Sequence, residues 1–207
     1  MLLRVSKEGK AKKLKNVLSS GMVDINLKFL SGGTALHLAA MNNHQDVVRV
    51  LLENGAEPNI ADRGGWTPLD YAAQYGKRDV MQILLNGRAD PNKADKCGWT
   101  PLHWAASNSY KDMVQLLLDR GSDPDNTDIW GMAPLHHAAF NGHKDVVPLL
   151  LDRGADPKRP DKQGRTPRSL AVETGFIEYP IMSSYKDHKD VADIVEMLKR
   201  AISSSYK

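Results

Sequence analysis

Trp99-Thr100-Pro101-Leu102-His103-Trp104-Ala105-Ala106 decides the fold, because the chain writes this stretch repeatedly. Stepping back 33 residues from Thr100 gives Thr67-Pro68-Leu69-Asp70-Tyr71-Ala72-Ala73, and a second step gives Thr34-Ala35-Leu36-His37-Leu38-Ala39-Ala40. Stepping forward gives Ala133-Pro134-Leu135-His136-His137-Ala138-Ala139, then Thr166-Pro167-Arg168-Ser169-Leu170-Ala171-Val172. Five copies at one unbroken period predict an array of identical supersecondary units rather than an ordinary globular core.

The unit from Asp128 to Lys158 shows the grammar. Asp128 and Gly131 bracket a tight turn, and Pro134 suits the first turn of a helix. Leu135, Ala138 and Ala139 follow at helical spacing, with small residues where a neighbouring helix must come close. Asn141-Gly142-His143 breaks that helix. Val146, Val147, Leu150 and Leu151 form the apolar face of a second one, and Gly154 is placed to close it in a left-handed conformation. Helices of about ten residues are marginal alone, so their stability has to come from stacking on neighbours.

The run Thr-Pro-Leu-His-x-Ala-Ala, then Gly-His, Val-Val-x-x-Leu-Leu and Gly-Ala-Asp resembles the ankyrin repeat family along nearly the whole chain. The resemblance implies an all-α ankyrin-repeat solenoid of helix–turn–helix units with β-hairpin arms. It implies that Thr34 with His37, and Thr100 with His103, tie the turn backbone together and to the next unit. On this reading residues 1–207 form a single domain. Residues 1–28 are a shortened N-terminal cap, 29–160 are four full repeats, and 161–207 are a C-terminal cap with an insertion at 176–187.

Departures from the pattern carry their own expectations. Phe29 stands where other units have the turn aspartate, which predicts a less ordered first arm. Gly87-Arg88 inverts the Asn54-Gly55 of the previous unit, so either the helix ends a residue early or Arg88 takes a positive φ at a cost. Pro148 lies early in a second helix, tolerable in its first turn and damaging beyond it. Arg168 replaces leucine in the last unit, as suits a cap turned to water, and Ser203 to Lys207 should fray. Phe176–Asp187 is apolar for a loop, consistent either with partner binding or with a flap sealing the cap.

Composition bounds the function. No apolar run approaches the roughly 18 residues that span a membrane, and the N-terminus lacks the apolar core of a secretory signal. The single cysteine, Cys97, excludes an internal disulfide framework and points to a cytosolic or nuclear protein. Arg4, Lys7, Lys10, Lys12, Lys13 and Lys15 face Glu8 alone in residues 1–15, while the rest of the chain is slightly acidic. These lysines read as the wet face of a terminal helix, and a nucleic-acid surface is disfavoured. His37, His103 and His136 fall at the structural motif position, His44, His143 and His188 recur near the second helix, and His137 fits neither place. No histidine, cysteine and carboxylate cluster has metal-ligand spacing, and there is no phosphate loop or nucleophile elbow. Neither catalysis, a cofactor, a metal nor a small-molecule substrate is expected.

The resemblance instead implies recognition of another protein or peptide by a monomer, as an adaptor, scaffold or inhibitor. In that fold the turn tips and first-helix surfaces line a concave face. Its variable positions here include Arg63, Trp66 and Tyr75 in the third unit, then Lys96, Trp99 and Asn108 in the fourth. The fifth supplies Ile129, Trp130, Met132 and Phe140, and the last supplies Arg165. Trp104, with Tyr71, borders the same groove. Aromatic residues and arginine dominate binding energy at interfaces, which favours a binding face. The competing readings are rings that only reinforce the array, a structural spacer, and an engineered or reconstructed array with no natural partner.

Overall fold

Each repeat starts its first helix the same way, and the reason is local. Thr34, Thr67 and Thr100 are extended, and the residue three places on reaches back to the threonine amide. The Thr34 N–H donates to His37 Nδ1 at 2.9 Å and the Thr100 N–H to His103 Nδ1 at 3.1 Å. Proline then occupies the start of the helices at Pro68, Pro101 and Pro134, where its missing N–H costs nothing.

This computed structural model describes residues 1–19, 21–176 and 188–204, and among them lie twelve helices. They are α1 (Leu2–Lys7), α2 (Ala11–Leu18), α3 (Ala35–Met41), α4 (Gln45–Glu53), α5 (Pro68–Gln74) and α6 (Arg78–Asn86). Then follow α7 (Pro101–Ser107), α8 (Lys111–Asp119), α9 (Pro134–Phe140), α10 (Val147–Asp152), α11 (Pro167–Phe176) and α12 (His188–Ser204). The chain divides into two compact units, Met1–Lys96 and Cys97–Lys207.

In the first unit, Leu14, Leu36, Leu51, Leu69, Met81 and Leu84 are fully buried between the helix pairs. In the second, Leu102, Leu117, Leu135, Leu150, Leu170 and Ile194 play the same part. Each such side chain contributes about 1.5–3 kcal/mol of transfer free energy. Arg168 is exposed.

No strand occurs among the described residues, so the expected hairpin arms are tight turns stitched by isolated bonds. Within the first unit the Arg63 amide donates to the Ser31 carbonyl at 2.9 Å and the Lys96 amide to that of Gly64 at 3.1 Å. Within the second, Ile129 donates to Cys97 and Lys162 to Trp130, both at 2.9 Å. The turns touch so closely that a β-carbon on Gly65 would lie 2.7 Å from the Lys96 nitrogen.

The departures resolve individually. The turn at Phe29 closes without the aspartate. Phe29 keeps the backbone bond to Gly33 at 2.9 Å, and its ring fills the space beside Gly33 where a β-carbon would sit. Arg88 takes φ +66°, and a β-carbon on Gly87 would meet Leu52 Cδ1 at 2.8 Å, so that side chain would have to shift. Pro148 shortens its helix from the front: α10 begins at Val147, three places later in register than α4, α6 and α8, so the proline sits in the first turn. At the other end α12 continues to Ser204, past the expected start of fraying at Ser203. The expected insertion lies outside the described residues from Ile177 to Asp187, and Phe176 ends α11.

Candidate functional site

Asp62, Asp128 and Asp161 build three of the turn tips. One oxygen of each holds backbone: Asp62 Oδ1 accepts from the Gly64 and Trp66 amides at 2.8 and 3.0 Å. Asp128 Oδ1 accepts from Trp130 and Met132, both at 2.9 Å, and Asp161 Oδ1 from Gln163 and Arg165 at 2.8 and 2.9 Å. The second oxygen takes a side-chain donor that changes between repeats. It is the Tyr71 hydroxyl on Asp62 at 2.8 Å, His137 Nε2 on Asp128 at 3.0 Å, and the Arg165 guanidinium on Asp161 at 2.8 and 2.7 Å.

These bonds outweigh burial. Burial pushes the Asp128 carboxyl up, but the bonds from His137, Met132 and Trp130 hold it below the usual carboxylate range. Asp161 is held low against burial in the same way, by Arg165 and the Gln163 amide. Burial raises the Tyr71 phenol, and its bond to Asp62 raises it further.

His137 therefore has a place that sequence reasoning missed. Tyr71 and His137 both lie nine residues after their turn aspartate, and both carry an N–H or O–H. The shared period combined with donor chemistry was the available signal.

The motif histidines are structural, as the resemblance implied. Nδ1 accepts from the turn amide, so Nε2 carries the proton and donates onward. His37 Nε2 bonds the Trp66 carbonyl at 3.1 Å, His103 that of Met132 at 3.1 Å, and His136 that of Arg159 at 3.0 Å. Burial lowers all three pKa values, that of His103 to about 4, which keeps the rings neutral. His44 and His143 tie their units backwards, to the Lys7 and Ser107 carbonyls at 2.8 Å. No group of three or more His, Cys, Asp or Glu side chains placed to hold a metal occurs among the described residues.

The remaining site residues separate into packed and presented. Trp66 lies 5.0 Å from the Tyr71 ring, and Tyr71 stacks on exposed Tyr75 at 6.3 Å. Trp99 packs between Trp104 at 4.2 Å and His137 at 4.5 Å. Trp66, Trp99, Trp104, Asn108 and Met132 are half-buried, and Asn108 donates to the Trp104 carbonyl at 2.8 Å. Arg63, Lys96, Ile129, Trp130 and Phe140 are exposed, whereas Arg165 is half-buried on Asp161. Ile129 and Trp130 sit side by side at one tip with 47% and 49% of their surface in water.

Repeated helix pairs on glycine-pinned turns, with a constant frame and variable tips, define a class of repeat protein built for recognition. The chain belongs to the ankyrin repeat family: the family model described as ankyrin repeats (three copies) matches residues 2–95, 65–128, 86–161 and 120–183. Ankyrin repeats are protein–protein interaction modules. A stretch of 61 residues is 41% identical to the mitochondrial disaggregase of Homo sapiens, covering 30% of this chain and 8% of that protein. A stretch of 58 residues is 38% identical to palmitoyltransferase akr1 of Schizosaccharomyces pombe, covering 28% of this chain and 9% of that protein. The bovine mitochondrial disaggregase matches over 61 residues at 38% identity, 30% of this chain and 9% of that protein. The chain thus spans less than a tenth of the length of these relatives. No helix among the described residues is long and apolar enough to cross a membrane.

Proposed function

We propose that this chain is a non-enzymatic protein-binding module, an adaptor, scaffold or inhibitor, that holds a segment of another protein on its turn tips and first-helix surfaces. The observation that carries the reading is the half-exposed pair Ile129 and Trp130, presented on a turn whose backbone is pinned by Asp128, Cys97 and Lys162. Two large apolar side chains on a rigid tip are ready-made interface anchors, because little ordering entropy is left to lose on binding.

Tyr75, Phe140, Arg63 and Lys96 are the other proposed contacts, all exposed. Trp66, Trp99 and Trp104 belong to the supporting frame by virtue of their ring packing, which favours the structural reading for those three. The two kinds of relative are named for different activities and share only 58 to 61 residues with this chain. That pattern supports repeats carried into different proteins rather than a shared chemistry. We read residues 1–207 as one repeat domain because the 33-residue period runs unbroken through its middle, acting as a monomer in the cytoplasm or nucleus.

The test is affinity selection of peptides on the wild-type chain, followed by binding of the selected peptides to Trp130→Ala and Ile129→Ala. Loss of binding with unchanged thermal melting supports the reading. Unchanged affinity in both variants removes the Ile129 and Trp130 tip from the site, and no selectable peptide sinks the reading.

A further inference from the structure

The turn tips of the first unit carry a charge pattern that the frame does not need. Leu30, Arg63 and Lys96 occupy one register position, each immediately after the first residue of its turn. The bonds from Arg63 N–H to the Ser31 carbonyl and from Lys96 N–H to the Gly64 carbonyl place them on successive rungs. Lys28 precedes Phe29 at the start of the first rung. All four side chains are exposed, Leu30 with 88% of its surface in water.

The acidic groups nearby are spent. Asp62 gives one oxygen to two amides and the other to the Tyr71 hydroxyl, and Asp95 is buried. No ion pair to a carboxylate forms at Lys28, Arg63 or Lys96 among the described residues. Elsewhere in the same unit exposed cations do find partners, as Lys10 and Arg4 do on Glu8. Cations held on adjoining rungs repel one another, and the close approach of the turns stops the backbone from moving them apart. An anion laid across the rungs would relieve that repulsion, and Leu30 offers an apolar contact at its end.

We propose that the tips of the first unit bind an extended acidic peptide segment of a partner protein, with carboxylates opposite Arg63 and Lys96 and an apolar side chain on Leu30. This rests on the reading of the chain as a protein-binding module and adds the chemistry of the partner. The electrostatic part acts mainly on association rate and on salt dependence.

The experiment selects random peptides displayed on phage against the full-length wild-type chain. The selected peptides are then synthesised and measured at low and high salt on Arg63→Gln/Lys96→Gln, on Leu30→Ser and on Trp130→Ala. Circular dichroism checks that each variant folds. The proposal expects Asp- and Glu-rich peptides whose affinity drops about tenfold in the double glutamine variant, two exposed pairs at up to roughly 1 kcal/mol each, with a smaller loss in Leu30→Ser and a steep loss with salt. Selected peptides without acidic residues, lost in Trp130→Ala and retained in the double variant, overturn the proposal and leave the binding-module reading standing. Selection of no peptide overturns both. Binding of a single-stranded oligonucleotide that the double variant abolishes, with no acidic peptide selected, overturns it in favour of a nucleic-acid surface.

Discussion

Replacing Asp70 by asparagine should change the way stability depends on pH. Asp70 stands where the repeats at His37, His103 and His136 carry a histidine, and it is fully buried. Its Oδ2 accepts from the Thr67 amide at 2.7 Å and the Thr67 hydroxyl at 2.6 Å, whereas Oδ1 is buried without a hydrogen-bond partner. Burial pushes the carboxyl from its ordinary value of 3.8 up to about 7, with the Thr67 bonds too weak to hold it down. The folded protein therefore keeps this proton at pH values where the unfolded chain has lost it. Stability from this group is complete below pH 3.8 and falls as pH rises through 7. Between about pH 5 and about pH 8 the loss comes to about 2.5 kcal/mol.

His37, His103 and His136 act in the opposite sense. Their folded values lie below 6.5, so they contribute stability above 6.5 that is lost as pH falls through the folded values. The wild-type profile is the sum, but the histidines cancel when the Asp70→Asn variant is compared with wild type at each pH. Asparagine keeps the acceptor for Thr67 and cannot ionise, and any cost of its amide group is the same at both pH values. Urea unfolding followed by circular dichroism should show the variant gaining on wild type by about 2.5 kcal/mol at the higher pH relative to the lower. A stability difference that is the same at both pH values would refute the account of a carboxyl forced neutral by burial.

Other perturbations test the frame. Arg88→Gly removes a side chain from a φ of +66° at an exposed position and should stabilise by about 0.5–1 kcal/mol in urea unfolding, after the added freedom of the unfolded glycine is subtracted. His137→Phe keeps a ring against Trp99 but leaves the buried Asp128 oxygen without its donor, and should cost about 1–3 kcal/mol at neutral pH. Because Asp128 titrates below 3.8 in the fold, the stability it gives above 3.8 should be lost over a narrower acid range in that variant than in wild type. Trp99→Ala should lower stability by about 2–3 kcal/mol because its ring is packed, while Trp130→Ala, half in water, should change stability by under about 1 kcal/mol. Pro148→Ala should add about one turn of helical signal in circular dichroism, since it returns an N–H that can bond the Lys144 carbonyl.

The frame was legible because it repeats. Thr100, Pro101, Leu102, His103, Ala105 and Ala106 recur since each solves a problem that every unit shares, namely a capped helix start, a buried leucine and a close helix approach. Trp99 read as a presented residue because its position varies, yet it is packed against Trp104 and His137. Variation marks positions the frame does not dictate, and those can be filled by packing as well as by binding. The part played by Phe29 was equally hidden. A benzyl ring and a carboxylate are unlike in chemistry, and only geometry shows that the ring steadies the same turn by filling the space beside Gly33.

The second oxygen of Asp62, Asp128 and Asp161 behaves as a socket. A phenol, an imidazole and a guanidinium plug into it from Tyr71, His137 and Arg165, and the backbone bonds made by the first oxygen stay the same. Local chemistry can thus be exchanged one repeat at a time, from a phenol to an imidazole to a permanent cation, without re-solving the turn. That separation of holding from presenting lets a rigidly periodic chain carry an aperiodic surface.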